Sequence, residues 1–436
     1  MKPRGVALRL LPPSAGPDVA RLVLARMVRC FADGAASVLL PAYLSALGYS
    51  AVAIGVLVTA TLLGCAALTL AVGLFAHRVG ARALLLAACA LMLATGVGFA
   101  GLRDFAPLLL LAFVGTLNPT AGDLSVFLPI EQSLLAARVD ERDRTAVYAR
   151  SNVAAAVAGA LGALASSFPV ALAAAADVAL VDAMRAGFLF YAAAAGVAAA
   201  LYARLDEPRA TKGAVAGGAT AALAAPPARA ALGRDSRRTV LRLAALFTLD
   251  SFGGGFVVQS LLALWLFQRF GFSLPDAAAF FFVTSLLAGF SQAASPVLAR
   301  RIGLVPTMVY THAPANAFLV AAAFAPSAEW TIALLLLRMT LSSMDVPARQ
   351  AFVMAAVRPE ERAAAASLTN VPRSLGGALA PLAAGWLLAR STFGWPLVIG
   401  GVLKLAYDFM LLWAYRRHDA SRGAVSRRPN AGDAGG

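Results

Sequence analysis

Long apolar runs, separated by short polar or basic gaps, extend over most of the chain. An α-helix needs about 20 apolar residues to cross a hydrocarbon core about 30 Å thick. Runs of this length predict an all-α membrane protein with twelve transmembrane helices. Their approximate bounds are 21–46, 51–76, 82–102, 107–131, 146–168, 184–203, 240–268, 277–299, 304–325, 329–354, 367–389 and 395–415.

Changes in composition divide the chain into four parts. Residues 1–203 and 240–415 each contain six predicted helices, which we expect to form two bundles. Residues 204–239 are rich in Ala, Gly, Pro and Arg without helical periodicity, which predicts a flexible cytoplasmic linker. Residues 416–436 are polar and Gly-rich, which predicts a disordered cytoplasmic tail.

The distribution of charge along the chain predicts its orientation in the membrane. The chain is 60% hydrophobic and 14% charged, and its 37 Lys and Arg against 22 Asp and Glu give a net charge of +15. The basic residues lie in the gaps and lack interleaved aromatics, so we expect no nucleic-acid binding. Their bias towards alternate gaps predicts that both termini are cytoplasmic. On this topology the cytoplasmic loops contain Arg78, Arg82, Arg138, Arg142, Arg144, Arg300, Arg301, Arg358 and Arg362, whereas the opposite loops contain Arg103, Arg185, Arg269 and Arg390.

Composition also indicates the compartment. The high content of Ala, Gly and Arg is typical of a bacterium with a GC-rich genome, which predicts the bacterial cytoplasmic (inner) membrane. Cys30, Cys65 and Cys89 lie in apolar stretches without a CxxC pair, so we expect neither a disulfide framework nor a metal site. The first apolar run has no small-residue cleavage site after it, which predicts a retained helix.

The two halves contain an internal repeat. An offset of 218 residues aligns Pro129, Glu131 and Gln132 with Pro347, Arg349 and Gln350. The same offset aligns Gly159 with Gly377, and an offset of 223 aligns Gly48 with Gly271. Two related six-helix halves joined by a linker are a common layout of transporters.

The loop between the second and third predicted helices carries a family resemblance. Its Gly73, His77, Arg78, Gly80 and Arg82 follow the G-x-x-x-D-R-x-G-R-R pattern of the major facilitator superfamily, with His77 at the usual Asp position. Drug–proton antiporters of this family often carry a G-x-x-x-G-P-x-x-G-G motif in helix five. Here Gly159 and Gly162 of helix five lack the proline, and a similar run occurs at 376–385 in helix eleven, which favours an efflux-like branch. The resemblance covers about residues 20–415 and implies two pseudo-symmetric bundles, a monomer, and a central cavity lined by helices one, four, seven and ten.

Charged residues concentrate on those four helices, although a charge at mid-membrane costs about 2.5–3.5 kcal/mol on insertion scales. On helix one, Arg26, Arg29 and Asp33 share one face, and Asp33 lies one turn from Arg29, which predicts an ion pair. We interpret Asp33 as a proton-exchanging acid; the alternative is a neutralised structural pair. On helix four, Asp123 could bind a proton or a cation, or could bond backbone groups freed by Pro119.

Helices seven and ten contain further candidates. Asp250 lies close to three glycines and precedes Gln259 on helix seven. We assign both to the cavity; the alternative for Asp250 is a structural residue that caps the glycine break. Arg338 on helix ten could hold an anion or neutralise an aspartate of another helix. Asp345 and Arg349 are gate candidates, because the repeat could bring Arg349 to Glu131 as a latch; the alternative is that Glu131 and Arg349 are two solvated helix ends.

Three residues outside these helices receive structural interpretations. Lys404 and Asp408 are four residues apart on helix twelve, which predicts a pair within that helix. His312, near the start of helix nine, is interpreted as a solvated loop residue, with pH sensing as the alternative.

Together these features predict a secondary active transporter that works by alternating access. The leading hypothesis is proton-coupled efflux by antiport of a small, amphipathic or cationic organic molecule. The alternatives are proton-coupled uptake of a metabolite and a non-transporting membrane scaffold or receptor. The sequence has no GxxxxGK[ST], HExxH or GxSxG motif, so we expect no enzyme and no cofactor, and the expected partners are the substrate, protons and the lipid bilayer.

Overall fold

A computed structural model describes residues 16–75, 79–120, 125–206, 234–358 and 361–425. These residues form sixteen α-helices and no β-strand. In chain order the helices are α1 Pro17–Ala46, α2 Ala51–Phe75, α3 Ala81–Gly101, α4 Phe105–Val114, α5 Phe127–Arg138, α6 Glu141–Ala165, α7 Phe168–Ala176, α8 Leu180–Ala203, α9 Arg234–Gly255, α10 Gln259–Phe270, α11 Leu274–Ile302, α12 Leu304–Ala323, α13 Ala328–Ser342, α14 Asp345–Ala356, α15 Arg362–Arg390 and α16 Trp395–Val425.

The sixteen helices make up twelve membrane segments, as the sequence predicts. Segments four, five, seven and ten each consist of two consecutive helices, namely α4–α5, α6–α7, α9–α10 and α13–α14. Within the described ranges, eight spans are long and apolar enough to cross a membrane by length and composition alone. The other four segments contain the polar residues or the break described below.

Two predicted boundaries are wrong. The linker predicted at 204–239 ends earlier, because α9 already begins at Arg234. The tail predicted as disordered from 416 is helical to Val425, since Ala and Arg have high helix propensity. Residues 207–233 and 426–436 lie outside the described residues.

Glycines set the closest helix contacts within each half. A Cβ on Gly34 of segment one would lie 2.1 Å from the carbonyl oxygen of Gly159 of segment five. In the second half, a Cβ on Gly255 would lie 2.2 Å from the carbonyl oxygen of Gly377. The same crossing therefore occurs twice, and it aligns segments one and seven with an offset of 221 residues.

The residue offset that aligns segment one with segment seven changes along their length. Gly48 and Gly271, which end segments one and seven with positive φ angles of 87° and 66°, are 223 residues apart. The two additional residues are accommodated where segment seven is not helical, at 256–258. This break follows the Gly253–Gly255 run, which has low helix propensity.

The two halves pack along two pairs of segments. Segment two contacts segment eleven, and segment five contacts segment eight. Near the end opposite the linker, the Gly55 backbone lies against Pro381 and Gly385, leaving no room for a side chain. At the same end of the molecule, α1 contacts α10. The halves are therefore in close contact at the end opposite the linker.

The break in segment four provides a further contact between the halves. Residues 115–120 and 125–126 are not helical, and residues 121–124 are not described. Asn118 Oδ1 accepts hydrogen bonds from the backbone N–H and the hydroxyl of Thr120. The Pro119 carbonyl accepts from the Ser260 N–H of the other half at 3.2 Å. Backbone groups freed by the break are thus bonded inside the protein, as membrane burial requires.

Candidate functional site

Segments one, four and six form a buried cluster in the first half. Arg29 donates to a Glu131 oxygen at 2.7 Å, and both side chains are at most 3% exposed. Tyr202 also donates to Glu131 and accepts from Arg29 Nε at 3.0 Å. The Arg29 guanidinium lies 3.9 Å from the centre of the Phe127 ring. This network fixes Arg29 against segment four.

The pair predicted between Arg29 and Asp33 is therefore wrong. Spacing places both residues on one face of α1, but Glu131 is reached by the longer arginine side chain across the helix interface. Asp33 instead accepts a hydrogen bond from the Tyr191 hydroxyl at 3.3 Å. Asp33 is 8% exposed and has no cation within 4.0 Å among the described side chains. Arg26 donates to Ser151 of segment five at 3.3 Å.

A second buried cluster joins segments seven, nine, ten and twelve. Asp250 accepts from Lys404 Nζ at 2.6 Å and from Arg349 Nη1 at 3.2 Å. Arg349 also donates to Asp345 at 2.9 Å. The Asp250 carboxylate thus pairs with two cations from two other segments, so each of the three buried charges has an oppositely charged partner.

The structure corrects two further predictions here. Lys404 pairs with Asp250 rather than with Asp408, which accepts from His312 Nδ1 at 2.9 Å and Asn316 Nδ2 at 3.0 Å. His312 is 3% exposed and therefore is not a solvated loop residue. Its Nε2 lies 3.5 Å from Lys404 Nζ and 3.8 Å from Asp250 Oδ1, so His312 joins the same cluster.

The two clusters are related by the internal repeat with their charges exchanged. The offset of 221 places Asp250 at the position of Arg29, and the offset of 218 places Arg349 at the position of Glu131. Segments one and four are joined by Arg29 and Glu131, and segments seven and ten by Asp250 and Arg349. The predicted latch between Glu131 and Arg349 is not formed in this conformation, because each residue pairs within its own half.

Two predicted cavity residues have no charged partner. Arg338 contacts the sulfur of Met339 at 3.3 Å and makes no ion pair with any described residue, so it does not neutralise Asp33 here. Gln259, the first residue of α10, has a buried Nε2 that makes no hydrogen bond to the described residues. Asp123 lies outside the described residues.

The loop motif is described only in part. Gly73 lies in the last turn of α2, Gly80 precedes the first residue of α3 in an extended conformation, and Arg82 follows in its first turn. His77 and Arg78 lie outside the described residues.

Sequence reasoning missed three functional candidates. Tyr191 and Tyr202 of segment six bond the two acidic groups of the first cluster. Arg373, in the middle of segment eleven, resembles Arg338 in having no ion pair with the described residues. A charge inside the apolar run 367–389 was the available signal for Arg373; nothing in the sequence distinguishes these two tyrosines from packing residues.

The fold and the sequence match known transporters. The family model of the Major Facilitator Superfamily matches residues 22–371. An uncharacterized membrane protein of Saccharomyces cerevisiae is 23% identical over 429 residues, covering 93% of this chain and 96% of its own length. A bacterial homolog of the human lysosomal transporter Spinster, in an inward-facing and occupied conformation, aligns with a TM-score of 0.70 at 16% identity, over 95% of this chain and 98% of that one. A D-xylose–proton symporter aligns with a TM-score of 0.69 at 16% identity, over 90% and 96%.

The family model covers most of the chain, and the twelve segments in two halves have the fold of these neighbours. The chain therefore belongs to the major facilitator superfamily, and it is a multi-pass membrane transporter rather than an enzyme.

Proposed function

We propose that this protein moves a small organic solute across the membrane by alternating access, coupled to the proton gradient, with efflux by antiport as the direction. The observation that carries the proposal is Asp33, a buried acid that accepts one hydrogen bond and has no ion-pair partner among the described residues. Such a carboxylate can take up or release a proton without breaking a salt bridge. Asp250 has two cationic partners and is less suited to this role.

The positions of the clusters support alternating access. Both lie on segments that the repeat relates, and three of these segments, four, seven and ten, are interrupted. Interrupted helices at the interface of two repeats are where transporters place their substrate and ion sites. The contact between the halves at the end opposite the linker is consistent with a conformation closed at that end.

Membrane orientation is part of the proposal. The bias of Lys and Arg supports cytoplasmic termini, and the composition supports a bacterial cytoplasmic membrane. With this orientation, the closed end faces away from the cytoplasm. The neighbouring symporter is named for its coupling to protons, which supports a proton as the coupling ion here.

Inverted membrane vesicles test the direction and the coupling. The vesicles are energised so that their interior is acidic, and compounds are added while a fluorescent dye reports the pH gradient. Antiport is expected to release protons from the vesicles when a substrate is added. Uptake by symport would leave the dye signal unchanged under these conditions and appear in right-side-out vesicles. Coupled transport that survives neutralisation of Asp33, Asp123 and Asp250 together would refute the proposal.

A further inference from the structure

Two arginines of the second half lie unpaired within membrane segments. Arg338 is nine residues into the span predicted at 329–354, and Arg373 is six residues into the span predicted at 367–389. A rise of about 1.5 Å per residue places them about 13 Å and about 9 Å from the starts of these spans. In a hydrocarbon core about 30 Å thick, both arginines therefore lie below the membrane surface.

Neither guanidinium has the partners that a buried charge requires. The Nε atoms of Arg338 and Arg373 are buried and make no hydrogen bond to any described residue. By contrast, Arg29 and Arg349 are 3% and 6% exposed and form ion pairs at 2.7 and 2.9 Å. Arg338 and Arg373 are half-buried, so part of each side chain faces open space. An arginine without a counter-charge at this depth costs free energy unless a ligand or water meets it.

Both arginines lie on segments that contribute to the second-half cluster or pack against it. Arg373 is one turn before Gly376 and Gly377, whose Cβ positions would meet Thr248 and Ser251 of segment seven on either side of Asp250. Arg338 is seven residues before Asp345 in segment ten, about two helical turns. Both guanidinium groups therefore belong to the surroundings of the second-half cluster.

The second-half cluster has a surplus of positive charge. It contains four fixed cations, Arg338, Arg349, Arg373 and Lys404, against three carboxylates, Asp250, Asp345 and Asp408. Two of those carboxylates are already held by Arg349 and Lys404, and Asp408 is held by His312 and Asn316. The other buried polar atoms of this half that make no hydrogen bond to the described residues are uncharged, namely Gln259 Nε2, the hydroxyls of Ser260, Ser291 and Tyr407, and Asn316 Oδ1. The charged groups left without a partner are thus the two guanidinium groups.

We propose that Arg338 and Arg373 bind the anionic group of the transported solute, so that the substrate is an organic anion. A carboxylate, sulfonate or phosphate ester accepts two parallel hydrogen bonds from a guanidinium and supplies the missing counter-charge. The inference rests on the proposed transport function. It replaces the cationic substrate expected from the sequence, because a cation would add to the positive surplus.

Ligand binding to the purified full-length protein tests this assignment. Thermal unfolding is measured with pairs of compounds that differ in charge but little in size: benzoate with benzamide, and indole-3-acetate with indole-3-acetamide. Tetraphenylphosphonium serves as the cation. We expect stabilisation by the acids and not by the amides or the cation. Arg338→Gln and Arg373→Gln should each weaken acid binding at least about tenfold, as expected for loss of a charge-assisted hydrogen bond.

Control variants separate a binding role from a folding role. Arg269→Gln removes an exposed arginine at the end of α10 and should leave acid binding unchanged. Arg338→Lys and Arg373→Lys keep the charge and should bind the acids with intermediate affinity, which keeps the test valid if a glutamine variant does not fold.

Three results would overturn the anion site: equal stabilisation by acid and amide, acid binding that both glutamine variants retain, or no stabilisation by any acid. Transport in proteoliposomes distinguishes these failures from failure of the transport proposal. Proton-coupled movement of a neutral or cationic solute would refute the anion site and keep the transporter, whereas acid binding without movement across the bilayer would refute the transporter.

Discussion

Asp33 and Asp250 have the same side chain and similar burial but different electrostatic surroundings. Asp33 accepts one hydrogen bond from Tyr191, whereas Asp250 contacts Lys404 and Arg349 at 2.6 and 3.2 Å, with His312 Nε2 at 3.8 Å. Protonation of Asp250 would leave Lys404 without a carboxylate partner and Arg349 with Asp345 alone. At the level of single residues, Asp33 is therefore suited to exchange protons and Asp250 to hold segments seven, ten and twelve together.

Asp33→Asn is expected to uncouple transport from the proton gradient. The variant should still exchange labelled for unlabelled substrate, because exchange requires the rocking motion but no net proton movement. It should lose accumulation driven by a pH gradient. Both are measured in proteoliposomes, with Asp182→Asn as the control, since the Asp182 side chain is 56% exposed. Gradient-driven accumulation by Asp33→Asn at the wild-type level would contradict this role.

Asp250→Asn is expected to destabilise the protein by about 3 kcal/mol, because removing one partner of a buried ion pair leaves an uncompensated charge. Asp345→Asn should cost less, since Arg349 keeps its contact with Asp250. The measurement is the midpoint of thermal or denaturant unfolding in detergent. Equal midpoints for the two variants would show that Asp250 is not the centre of the cluster.

The sequence identified most of the buried charges but not their partners. Spacing of four residues predicted Arg29 with Asp33 and Lys404 with Asp408, and both pairs are replaced by contacts between segments. Helical spacing shows only which residues share a face. In a packed bundle, a long cationic side chain reaches the next helix, where burial strengthens the ion pair, and the sequence does not specify which helix that is.

At the level of helices, the position of a segment could be predicted and its continuity could not. The apolar runs predict all twelve segments, but the described residues 115–120 and 125–126 of segment four, 256–258 of segment seven and 343–344 of segment ten are not helical. At the break in segment ten, the Met344 carbonyl accepts a hydrogen bond from the Ser295 hydroxyl at 2.5 Å. Such bonds come from other helices, so hydropathy along one run gives no signal for them.

Gly34→Ala is expected to destabilise the first half by about 3 kcal/mol, at the upper end for overpacking, because the added methyl meets the backbone of segment five and not a movable side chain. Gly196→Ala is the matched control, since nothing lies within 4 Å of its Cβ position and alanine favours the helix. The unfolding midpoints of the two variants should move in opposite directions. A Gly34→Ala midpoint equal to that of wild type would show that the crossing of segments one and five is looser than described.

At the level of the whole molecule, one contact between the halves can be changed without touching either charged cluster. A Cβ on Gly55 would lie 2.6 Å from the Pro381 carbonyl oxygen and 3.0 Å from Gly385 Cα, both in the other half. Gly55→Ala should separate the halves at the end opposite the linker and favour the conformation open at that end.

Thiol labelling measures this shift in a chain with Cys30, Cys65 and Cys89 replaced by alanine. Ser260→Cys reports the separation, because Ser260 is fully buried and its N–H bonds the Pro119 carbonyl across the halves. We expect labelling of this cysteine to increase several-fold with Gly55→Ala. Gly101→Ala, at an open position, should have no effect. Unchanged labelling in a folded Gly55→Ala variant would argue against closure by this contact.

The two charged clusters bear on what one half must break in order to move against the other. Arg29 pairs with Glu131, and Asp250 pairs with Arg349 and Lys404, so each of these ion pairs joins segments of the same half. Rocking of one half against the other therefore separates none of these buried charges. The resistance to rocking comes instead from the neutral contacts between the halves, such as the approach of Gly55 to Pro381 and Gly385.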